Sequence, residues 1–181
     1  MREVPPVTFA AAHSVGAIVV DVREPGEYVL GVTRPMLKDH PDGDLSDLPV
    51  AMLAAEVVAA ADRLWLLVFD SAGVNGHPDH MAATAAGLLA AEMLDLPVLA
   101  WALPETVAAQ LHQELGASFV GHQDEEVDLR VTVDRACQRL ASHAHTSQAL
   151  PSSFVWRRFE LLAGTESLCW LRPPIGATVT P

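Results

Sequence analysis

The sequence predicts an α/β fold, a three-layer sandwich of helices around a mostly parallel sheet. Apolar runs of strand length alternate with segments of helical period, the pattern of successive βα units. Half of the 181 residues are apolar, enough to bury one substantial core. Aromatic residues make up only 6% while alanine is abundant, which suits helices lying close on a sheet.

"AIVVDV" (17–22) is a short β-branched run, and "LWLLVFD" (64–70) and "LPVLAWAL" (96–103) are two further strands. Between the first two, "DLPVAMLAAEVVAAADR" reads as a helix capped by Asp47, with Val50, Leu53, Val57 and Ala61 on one face. "PDHMAATAAGLLAAEML" is a second helix with Pro78 in its first turn. "PETVAAQLHQELG" is a third, opened by Pro104 and closed by Gly116. "DEEVDLRVTVD" then alternates like an edge or surface strand, and "RACQRLASHAHTSQ" returns to helical period. The last thirty residues read as a short helix, a turn at Gly164, a brief strand and a Pro/Gly-rich tail. Parallel strands joined by helices give a Rossmann-like sheet, with loops at the strands' carboxyl ends available to a ligand.

Composition excludes several roles. Net charge is −12, from 23 acidic and 11 basic side chains, with no Lys/Arg-rich block. Neither nucleic acid nor an anionic membrane surface is an expected partner, since both need concentrated positive charge. Cys137 and Cys169 stand in no CxxC pair and no disulfide framework, as expected of reduced thiols in a cytoplasmic protein. The amino-terminal stretch does not have the pattern of a secretory signal, and the apolar runs fall short of the ~20 residues of a membrane span.

The chemistry concentrates in "NGHPDH" (75–80). His77 and His80 are three apart, with Pro78 fixing the backbone between them, so both can point into the crevice beyond a strand end. Asp79 is placed to hold an imidazole, as metal-bound histidines require. The other reading of such a pair is a polar cap at a helix start. Gly73 and Gly76 supply the tight turn before it. Asp70, at the end of "LLVFD", either faces a ligand or caps the loop that follows. Of His143 and His145 only one can face a site, because residues two apart on a helix diverge. Trp65, Trp101, Trp156 and Trp170 read as core or interface, and Arg157 and Arg158 as partners of Glu160 or Glu166. His112 and His122 carry no pattern.

The string "DGDLSDL…LWLLVFDSAGVNGHPDHMAATAA…LPVLAWALP" resembles the second half of the PIG-L/LmbE family, zinc hydrolases that remove acetyl groups from N-acetylglucosamine-type sugars. "LGVTRPMLKDHPDGDL" (30–45) is similar to its "DG-x-L" segment, "GVNGHPDH" to its second metal motif, and "AHTSQ" (144–148) to its late "H-x-[ST]-Q" element. The resemblance implies that His80 is a zinc ligand. By the same resemblance His77 polarises the substrate carbonyl or stabilises the oxyanion, Asp79 orients His77, and His145 is a substrate-binding candidate; Asp70 is another, by its place at the strand end. It implies zinc as cofactor, a zinc-bound water as nucleophile, and an N-acetylated sugar conjugate as substrate.

The family's first metal motif, "AHPDD", is absent. "AAHSVGA" (11–17) supplies His13 but Ser14, Val15 and Gly16 stand where carboxylates are needed, while a catalytic zinc takes three protein ligands. Residues 1–31 resemble the start of a rhodanese-like domain, with "DVRE" followed by "GEY", and the similarity stops at Gly31. The chain then divides into a rhodanese-like fragment (1–31) and the carboxyl-terminal portion of a PIG-L/LmbE-like domain (32–181), truncated relative to the family. If "AIVVDV" takes the missing strand's slot, Asp21 and Glu24 emerge near the histidine pair as substitute ligands. Otherwise they are solvated or paired with Arg23 or Arg34.

The expectation is a zinc-dependent deacetylase impaired by its missing motif. The alternative is a non-catalytic remnant or binding module. Sulfur transfer ranks third, because neither cysteine sits in a rhodanese-type loop. An uncovered sheet edge would favour self-association.

Overall fold

The computed structural model describes residues 40, 43–61, 65–144, 150 and 154–176. The expected strand at 17–22, the ligand candidates His13, Asp21 and Glu24, the boundary at residue 31 and His145 lie outside them. Among the described residues the longer helices are α1 (Val50–Ala60), α2 (Pro78–Leu94), α3 (Glu105–Leu115), α4 (Arg135–Ala144) and α5 (Phe154–Leu162), and a four-residue helical turn, irregular at Val74 and Asn75, spans Gly73–Gly76. The strands are β1 (Leu66–Phe69), β2 (Val98–Ala102), β3 (Leu129–Thr132) and β4 (Thr165–Arg172), and 3-10 turns lie at Leu45–Asp47 and Asp124–Glu126.

Local chemistry explains the boundaries. α2 starts with Pro78 in its first turn and stops at Asp95, which is left-handed at φ 54°. α3 stops at Gly116, at φ 65°. α1 departs from expectation. Pro49, not Asp47, occupies the N-cap, and Asp47 belongs to the preceding 3-10 turn. A proline holds the residue before it extended, here Leu48 at ψ 146°, so the helix begins only after Pro49. The packed stripe is shifted as well: Leu53, Ala54, Val57 and Val58 face the core, while Val50 is exposed.

The strands form one sheet in the order β1-β2-β4-β3. β1 and β2 are parallel, Leu66 opposite Val98 through Phe69 opposite Trp101, with α2 as their crossover. β4 is antiparallel to both β2 and β3. The mostly parallel, Rossmann-like sheet expected from the sequence is therefore corrected to a mixed one, in which one described pairing of three is parallel. An apolar run reports burial, not direction. The direction of β4 is fixed at its far end, where Arg172 bonds Asp95 at 2.6 Å and the carbonyl of Leu96, just before β2.

Helices flank both faces. Val68, Ala100, Ala102, Cys169 and Leu171 share one face. α2 lies close against it at Gly87, where a Cβ would stand 2.7 Å from Val68, and α1 packs behind α2 through Leu53, Ala54, Ala86 and Ala90. Leu99, Trp101, Val131, Leu168 and Trp170 share the other face. There Trp101 also meets the cluster of Leu103, Val107 and Leu111 with Leu162, which unites α3 and α5. The carboxyl end of β1 thus abuts the amino-terminal turn of α2, and that junction carries the histidines.

Candidate functional site

Asp70 ends β1 and is 1% exposed. Its Oδ1 accepts the N–H groups of Ala72 (2.9 Å) and Val74 (2.8 Å), so it caps the loop that follows. Its Oδ2 lies 3.1 Å from His122 Nε2. The loop then passes through left-handed backbone at Gly73 (φ 64°), Val74 (φ 67°) and Gly76 (φ 76°). Gly73 is required twice over, by its φ and because a Cβ there would meet His80 Cβ at 3.0 Å and Met81 Cγ at 2.9 Å. Val74 is β-branched and pays for the same conformation with about 1–3 kcal/mol of strain. It is held there from both sides: its N–H donates to Asp70, and its carbonyl accepts the N–H of Val120 at 2.8 Å.

His77 is the N-cap of α2, its Nδ1 accepting the Asp79 N–H at 3.3 Å. The polar-cap reading is therefore realised at this residue. His80 stacks on Phe69, with ring centroids 3.9 Å apart and 16° between planes, and lies 4.8 Å from the His77 ring. Its Nδ1 is 3.1 Å from the Gly73 carbonyl. A carbonyl only accepts, so this nitrogen carries the proton and the neutral ring keeps its lone pair on Nε2. In His77 the pattern is reversed: Nδ1 accepts, so Nε2 carries the N–H. Two adjacent imidazoles thus offer one lone pair and one donor.

Asp79 is buried, and its carboxylate accepts the N–H groups of Gly43 (2.8 Å) and Leu45 (3.1 Å). It ties the "DGDL" stretch to the "GHPDH" turn, and its hydrogen bond to His77 is made through its backbone N–H. The structure brings His77, Asp79 and His80 together at the strand end that Asp70 closes. His122 is the addition that sequence reasoning missed, because it stands 52 residues from Asp70 with no local pattern around it. His40 pairs with Glu56 of α1 at 3.1 Å, and the His143 ring lies 4.5 Å from that of Trp156.

Among the described residues no group of three His, Cys, Asp or Glu side chains could hold a metal ion. The described donors, one imidazole lone pair beside one N–H, do not by themselves complete the three-ligand set of a catalytic zinc. Among the same residues, no helix is long and apolar enough to cross a membrane.

The fold and the site define a mixed α/β protein with a histidine pair at the carboxyl end of a strand. No protein-family profile matches the chain, and no curated protein does. Among solved structures it is similar to the crystal structure of Dbv21, the deacetylase of the antimicrobial A40926 pseudoaglycone. The two are 16% identical over 93% of this chain and 72% of that one, with a TM-score of 0.49.

Proposed function

We propose that the chain is a PIG-L/LmbE-type deacetylase unit that retains the second half of its metal site, recognises an N-acetylated sugar conjugate, and is catalytically impaired. The observation that carries this reading is the contrast between two ring contacts, His77 Nδ1 accepting the Asp79 N–H and His80 Nδ1 lying against the Gly73 carbonyl, from which opposite tautomers follow. His80 Nε2 is the atom that would ligate zinc, its other nitrogen held by a carbonyl as ligating histidines usually require. His77 Nε2–H is the donor for the acetyl carbonyl oxygen. Asp79 holds the turn that presents both rings. The second and third protein ligands would have to come from His13, Asp21 or Glu24. The described residues supply no complete set, which favours, as the second reading, a non-catalytic module that binds the conjugate.

Zinc per chain, measured by elemental analysis beside His80→Ala, tests the reading together with acetate release from N-acetylglucosamine conjugates. About one zinc per chain, lost in His80→Ala, supports a metal site; loss in Asp21→Ala/Glu24→Ala as well identifies the substitute ligands. Zinc at background, no acetate release and retained conjugate binding would establish the binding module.

A further inference from the structure

We propose that the Asp70–His122 pair, a buried carboxylate against a partly buried imidazole, is a positioning device for His80, holding residues 71–76 in the conformation that sets the Gly73 carbonyl against the His80 ring. His122 is itself fixed. Its N–H donates to the Leu103 carbonyl and its carbonyl accepts the Glu105 N–H, both at 2.8 Å, between the end of β2 and the start of α3. Its Nε2 meets Asp70 Oδ2 at 3.1 Å, so the pair joins the carboxyl ends of two adjacent parallel strands. Asp70 Oδ1 then takes the N–H groups of Ala72 and Val74. Gly73 lies between those two residues, so its peptide is oriented by one carboxylate, and its carbonyl is the acceptor that fixes His80 Nδ1–H. The segment that carries His122 also holds the loop's other side, through Val120 N–H to the Val74 carbonyl.

Without the His122 donor, Asp70 would keep a buried carboxylate oxygen with no partner, and the strained Val74 conformation would lose part of what over-determines it. Asp70 and His122 act on His80 through the backbone of residues 72–74, which makes them positioning residues. The functional meaning of the device rests on the reading of His80 Nε2 as the ligating atom, but the tautomer it sets can be read with no metal present.

Long-range 1H–15N spectra of the histidine rings, recorded on the full 15N-labelled chain, report the His80 tautomer directly. The comparison is wild type against His122→Gln, which keeps an N–H donor for Asp70, and against His122→Leu and His122→Phe, which keep bulk but no donor. Circular dichroism establishes which variants fold. Wild type and His122→Gln are expected to show His80 fixed as Nδ1–H, and the Leu and Phe variants a tautomer mixture. If wild type binds zinc, its affinity is expected to fall about 10–100-fold in those two variants. An unchanged His80 tautomer in folded His122→Leu or His122→Phe overturns the proposal. So does an equal change in His122→Gln, or a failure of both apolar variants to fold while His122→Gln folds, since the role would then be structural. A wild type without zinc whose His80 tautomer still follows residue 122 would refute the metal reading and leave the positioning device standing.

Discussion

Single positions set the site. Gly73 combines a left-handed φ of 64° with the absence of room for a Cβ, whose nearest neighbours would include the backbone N of Met81 at 3.2 Å. The Met81 side chain can swing aside, but a helix backbone and the His80 Cβ cannot. Gly73→Ala is expected to destabilise the protein by roughly 1–3 kcal/mol in urea unfolding, and to release the fixed His80 tautomer in the same histidine spectra. The two cysteines differ for an equally local reason. Burial, and secondarily the carboxylates of Asp128, Asp70 and Glu126, push the Cys169 thiol up to about 11, whereas Cys137 is exposed. The thiolate is the reacting species, so iodoacetamide at about pH 8 is expected to label Cys137 in the native protein and Cys169 only after unfolding. Rapid native labelling of both would contradict the burial of β4.

Among the elements, α3 and α5 are held by the apolar cluster beneath them and by Arg157, which bonds Glu114 at 2.6 and 2.8 Å and Glu160 at 3.0 Å. The Arg157 guanidinium, with Gln110 assisting, lowers the Glu114 carboxyl from its ordinary 4.5 to about 2. A carboxylate depressed in the folded state adds stability above its unfolded value and loses it as pH falls through the folded one. The contribution therefore disappears between pH 4.5 and about 2, and it is small because the pair is exposed to solvent. Urea midpoints measured across that window should fall less steeply in Glu114→Gln than in wild type. Much at this scale was legible in the sequence. Pro78 and Gly116 marked true ends of α2 and α3, and the alternation in "DLRVTVD" placed β3 at a sheet edge. What periodicity does not encode was missed. The buried run "TESLCWLR" reads the same in either direction, so the antiparallel setting of β4 followed only from its partners. The Asp70–His122 contact is likewise a product of tertiary folding, and a lone histidine in a loop gives no local signal of it.

At the scale of the whole molecule, β1 stands at the end of the sheet, and among the described residues no strand pairs with its outer edge. Along it Trp65, Leu67 and Phe69 alternate onto one face at 37%, 51% and 36% exposure. Unpaired backbone beside exposed apolar side chains is a template for another strand, and no Lys, Arg or Pro in Leu66–Phe69 blocks that pairing. A net charge of −12 acts the other way, since two copies repel. Salt shortens the range of that repulsion, to ~10 Å at 0.1 M and ~3 Å at 1 M, and leaves apolar contact intact. Self-association is therefore expected to rise with protein concentration and with salt, as read by light scattering. Leu67→Lys should hold the chain monomeric with its circular dichroism unchanged, since that side chain is half exposed and belongs to none of the apolar clusters of the described residues. A wild type that stays monomeric through 1 M salt would show that this edge is covered in solution. Because Phe69 also carries the His80 ring at 3.9 Å, a partner strand at this edge would bear on the histidine site as well. Shifts in the His80 resonances that follow association in wild type and are absent in Leu67→Lys would locate the contact at β1.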